Sequence, residues 1–141
     1  MKAIAALIGV MLLWSTLVAA QGPETFTARL SSLPADARTR PDLAGSGSVS
    51  GVLTGSKFVV SGSFEGLISP ATVAQIHRGI ERGVRGAVVF DLTISKAESG
   101  NITGSFDLTP SQVESLKKGQ LYVQLSSEKT PDGTLWGWFL R

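Results

Sequence analysis

Alternation of apolar and polar residues is the feature that most constrains this chain. Phe26, Ala28 and Leu30 alternate with Thr25, Thr27, Arg29 and Ser31. Phe58, Val60, Gly62 and Phe64 alternate with Lys57, Val59, Ser61 and Ser63. The same period recurs at Val88, Phe90, Leu92 and Ile94, at Ile102, Gly104, Phe106 and Leu108, and at Leu121, Val123 and Leu125. A two-residue period places one set of side chains on a core face and the other toward water, as in a half-buried strand. Further runs at residues 48–54, 72–78 and 134–140 bring the expected count to about eight strands. Glycine and polar clusters separate them, among them Gly45-Ser46-Gly47, Gly55-Ser56 and Asp132-Gly133. Many short strands with turn signals between them predict an antiparallel sandwich or barrel.

One segment breaks the pattern. Thr109 can cap a helix, Pro110 suits its first position, and Gln112 completes a capping box. Val113 and Leu116 then share a face, and Gly119 ends the helix after Lys117 and Lys118. About two turns are expected here, covering an edge of the sheet structure. Residues 32–46 hold two prolines and little periodicity, so a long connection is expected there.

The first twenty residues read differently. Lys2 is followed by an uncharged run at residues 3–20 that ends in Val18-Ala19-Ala20. Small residues before Gln21-Gly22-Pro23 fit a signal peptide cleaved near Ala20. The alternative is a retained apolar anchor, since the run is about the length of a membrane span. Residues 1–20 are therefore assigned as signal peptide and residues 21–141 as one extracytoplasmic domain, secreted or periplasmic. No membrane span is expected after cleavage.

Composition removes several function classes. The 141 residues contain no cysteine and one histidine, His77. That excludes a disulfide scaffold, a cysteine nucleophile and any multi-histidine metal site within one chain. The formal charge of +2 lacks the clustered basic surface that nucleic acid requires. Asp91 and Asp107 fall on separate strands and form no paired-carboxylate motif. Asn101-Ile102-Thr103 matches a glycosylation sequon, incidental in a bacterial protein.

Two clusters remain. The segment His77-Arg78-Gly79-Ile80-Glu81-Arg82-Gly83-Val84-Arg85-Gly86 carries three arginines and three glycines. Guanidinium groups grip carboxylate, sulfate or phosphate through a planar fork, so Arg78, Arg82 and Arg85 are candidates for an acidic glycan or acidic partner. The bland reading is a solvated loop in which Arg82 or Arg85 pairs with Glu81. Trp136 and Trp138 flank Gly137 and share a face at strand spacing. They would either stack on a sugar or anchor a protein partner, or else pack beneath the 32–46 connection or complete a core.

Three ordered segments resemble the CHRD domain, a family named for its repeats in chordin. They are Thr72-Val73-Ala74-Gln75-Ile76-His77-Arg78-Gly79 with the following glycine-rich loop, then Leu108-Thr109 through Gly119, Leu121, Tyr122 and Val123, and finally Pro131-Asp132-Gly133-Thr134-Leu135-Trp136-Gly137. The resemblance implies a secreted all-β Greek-key sandwich, immunoglobulin-like or superoxide-dismutase-like. In chordin such repeats belong to an extracellular protein that sequesters growth factors. The family pattern also implies a histidine cluster at positions 75, 77 and 126, where this chain has Gln75, His77 and Ser126. One surviving histidine makes a metal-binding redox protein of superoxide-dismutase type the disfavoured alternative. A Ser126–His77 hydrolase pair is weaker still, for lack of a nucleophile elbow. The expectation is an exported, non-catalytic binding or structural module without cofactor.

Overall fold

The computed structural model describes residues 22–141. The signal-peptide assignment at residues 1–20 lies outside them. Eight antiparallel strands form: β1 (Glu24–Ser32), β2 (Ser46–Thr54), β3 (Lys57–Glu65), β4 (Ala71–Arg78), β5 (Ala87–Ile94), β6 (Gly100–Asp107), β7 (Leu121–Ser127) and β8 (Leu135–Trp138). One helix, α1 (Pro110–Lys117), joins β6 to β7. Among the described residues no helix is long and apolar enough to cross a membrane.

The strands close in the order β1-β2-β3-β6-β5-β4-β7-β8, with β8 returning to β1. The expected Greek-key sandwich is thereby corrected to a closed barrel. The reason lies at two seams. β5 pairs with β6 only through Thr93–Thr103 and Ile94–Ile102. β1 pairs with β8 through Ser31–Trp136 and Ser32–Leu135, with a further bridge at Thr27–Leu140. These short ladders join two four-strand halves that alternation alone leaves as separate sheets. Closure removes the free edges that would otherwise template association.

The barrel interior is filled by the predicted apolar face. Phe26, Ala28, Leu30, Phe58, Val60, Phe64, Leu121, Val123 and Leu125 are all buried in one core. Phe58 meets Phe26 and Phe139 edge to face, with ring centroids 6.4 and 5.2 Å apart. Each such side chain contributes about 1.5–3 kcal/mol by leaving water. Helix α1 closes one end of the barrel through Leu116. Its capping box is fully formed, with Gln112 N donating to Thr109 Oγ1 at 3.2 Å and Thr109 N donating to Gln112 Oε1 at 2.9 Å.

Two strands depart from simple alternation. Val88 was expected inward with Phe90, yet it is 49% exposed. A register shift between Ile76 and His77 sets Ile76 opposite Phe90 but His77 opposite Val88. The bulge absorbs Val89 and turns Val88 outward with His77. On β7 the expected polar face is covered, for Tyr122 and Ser126 are buried. The 79–86 loop and the β7–β8 turn fold back over it.

Candidate functional site

The outer face of β8, β7 and β4 is organised by strand register. Trp138 lies beside Tyr122, and Tyr122 beside His77. One step along the strands, Trp136 lies beside Gln124, Gln124 beside Gln75, and Gln75 beside Asp91. The first row forms a continuous aromatic stack. His77 and Tyr122 are parallel at 5.0 Å, Tyr122 and Trp138 are 4.8 Å apart, and Trp136 meets Trp138 edge to face at 4.7 Å.

Gly86 seals this stack from the loop side. Its N–H donates to Tyr122 Oη at 2.8 Å, and its carbonyl accepts from His77 Nδ1 at 2.9 Å. A carbonyl can only accept, so Nδ1 carries a proton, and the buried Nε2 has no hydrogen-bond partner. A Cβ on Gly86 would stand 1.6 Å from the Arg78 carbonyl oxygen, so no other residue permits this approach. His77 therefore latches the arginine loop to the sheet. The loop runs on across the face, where Arg85 Nη1 reaches the Asp132 carbonyl at 3.5 Å.

The five residues of the arginine and tryptophan clusters separate into distinct roles. Arg78 sits at the end of β4, where its charge and that of Lys118 hold the Glu114 carboxyl below its usual range, Lys118 more strongly through a 2.7 Å contact. Arg85 straps the loop to the β7–β8 turn. Arg82 meets no carboxylate within ion-pair distance among the described residues. It lies instead with Trp136 and Trp138 around a groove of about 270 Å³. Trp138 is buried and Trp136 half-buried, and they pack on Tyr122 and on each other. The indole N–H of Trp138 has no hydrogen-bond partner.

The other wall of the groove is the outer face of β1: Thr27, Arg29 and Ser31. Alternation marks these as the polar face of the first strand. Nothing in their own segment links them to Trp136. Closure of β8 onto β1 does, helped by Gly137, whose missing side chain leaves room for the Arg29 carbonyl. Arg29 is thus the site residue that sequence reasoning overlooked. Alternation puts Tyr122, the centre of the stack, on a solvated face, because the loop that covers it comes from 36 residues upstream.

The family histidine positions do not make a metal centre here. Gln75 Nε2 donates to Asp91 Oδ1 at 2.8 Å. Ser126 pairs with Val73, whereas His77 pairs with Tyr122. That is four residues along β7, or about 13 Å at ~3.3 Å per residue. The Ser126–His77 pairing is corrected on this register: the two are not neighbours. Among the described residues no group of three His, Cys, Asp or Glu side chains could hold a metal ion. The donor set of one imidazole, one amide and one hydroxyl does not fit zinc or copper.

Searches of curated proteins and of solved structures returned no match. The model of the CHRD domain matches residues 26–138, from the first core phenylalanine to the second groove tryptophan. With nearly the whole barrel inside that match, this chain belongs to the CHRD domain family.

Proposed function

We propose that this protein is an exported, non-catalytic binding module whose ligand is an acidic glycan. One observation carries the reading: two tryptophans and two arginines, Trp136, Trp138, Arg29 and Arg82, border a single groove. Indole edges and faces offer an apolar platform for a sugar ring. Guanidinium forks on either side supply charge-assisted hydrogen bonds to carboxylate or sulfate. Thr27 and Ser31 add hydroxyls along the β1 wall of the groove.

Trp136 and Trp138 are the tryptophans of the described residues, so binding should change indole fluorescence directly. Titration with a uronate oligosaccharide is the test. Trp136→Ala should weaken binding by about thirtyfold or more, the loss expected for a central aromatic anchor. Arg82→Ala should weaken it by about tenfold and flatten its salt dependence. Unchanged affinity in both variants would sink the assignment.

A further inference from the structure

The tryptophan groove does not end at β1. Thr27, Arg29 and Ser31 also form one side of a second, broader hollow of about 940 Å³ on the outer face of β1, β2 and β3. The two depressions share these three residues and therefore adjoin along β1. The far hollow exists because its floor is made of small residues. Ser46, Gly47 and Ser48 on β2 and Ser63 on β3 line it, and Ser99 borders it from the β5–β6 turn. Register places Arg29 beside Ser48 and Ser48 beside Ser63 in one row across the strands. Ser46 stands beside Glu65 in the neighbouring row.

From this adjacency we infer that the ligand is an extended acidic polysaccharide chain rather than a single sugar, lying across β8, β1, β2 and β3. This rests on the glycan reading above and deepens it. The path from Trp136 to Ser63 crosses three inter-strand steps, roughly 14 Å at ~4.8 Å each. That exceeds one sugar ring. The chemistry along the path changes in order: aromatic at β8, cationic at Arg29, hydroxyl at Ser48 and Ser63, anionic at Glu65. Carboxylates of the chain belong near Arg29 and Arg82. Sugar hydroxyls belong over the serines and Glu65, whose carboxylate accepts from them and repels a second acid. The serines offer rotatable donors and acceptors to a hydroxyl-rich chain.

The experiment is calorimetric titration of the protein with linear oligosaccharides of increasing length in which a uronic acid alternates with a neutral sugar, with polyglutamate as a charged polymer without rings. Affinity should rise at least about tenfold between the disaccharide and the hexasaccharide, as added rings occupy the serine hollow. The double variant Ser48→Ile with Ser63→Ile fills the hollow with β-branched side chains suited to exposed strand positions. It should erase the rise with length and leave disaccharide binding unchanged. Equal affinity for short and long oligomers, with Trp136→Ala still abolishing binding, overturns the extended site and leaves the tryptophan groove standing. A rise that survives the double variant also overturns it. Polyglutamate that binds as tightly as the hexasaccharide overturns the glycan in favour of an acidic peptide. Binding of no oligomer at all defeats the groove assignment and the extension together.

Discussion

At the scale of single residues, backbone groups claimed by side chains decide the local structure. Gly86 has both its N–H and its carbonyl engaged by Tyr122 and His77. Gly86→Ala should cost about 1–3 kcal/mol, because the new Cβ must push Arg78 and the loop apart. Urea unfolding would show it as a lower midpoint at an unchanged slope. Asp36 makes a similar local claim in the 32–46 connection. The backbone N–H of Thr39, then that of Arg38, holds its carboxyl below the usual carboxylate value. A carboxylate with a depressed folded pKa adds stability above its unfolded pKa and loses it as pH falls through the folded value. Asp36 is fully exposed, so the effect stays local. The amides of Arg38 and Thr39 should lose exchange protection as pH falls through that depressed value, below the ordinary carboxylate range. Protection that persists to lower pH in an Asp36→Asn control would assign the loss to this carboxylate.

At the scale of elements, α1 shows how far local signals reach. Thr109, Pro110, Gln112 and Gly119 mark its start and stop, and each occupies its expected place: the cap, the first turn, the reciprocal bond and a positive φ of 71°. Thr109→Ala should cost about 1 kcal/mol by freeing the Gln112 N–H. Helical content by circular dichroism should barely change, whereas thermal unfolding should move to lower temperature. The strands were legible for the same reason, since inward residues follow period two in β1, β2 and β3. β5 and β7 were only half legible. A bulge is a feature of two paired strands, so Val88 cannot reveal it alone. Tyr122 occupies a position that alternation assigns to solvent, and only a loop returning from 36 residues upstream covers it.

At the scale of the molecule, closure is the controlling event. The β5–β6 seam holds two residue pairs, whereas β2–β3 holds nine along the same wall. Hydrogen exchange should therefore find Thr93 and Ile94 opening well before the β2–β3 ladder, at free energies below global unfolding. Uniform protection around the barrel would show instead that it opens as a single unit. The β1–β8 seam has a second consequence. It brings Arg29 to Trp138 and makes β1 the strand shared by both hollows.

Sequence alone was enough for the strand count, the helix with its caps, and the arginine and tryptophan clusters. Periodicity, capping and side-chain chemistry are local properties, written in a few neighbouring positions. Only the tertiary structure decided that the sheet closes, that Arg82 rather than Arg78 or Arg85 faces the tryptophans, and that Arg29 joins them. These outcomes depend on which backbones meet across long sequence separations. Small residues at contacts such as Gly86 and Gly137 permit those meetings, and a single segment cannot encode them.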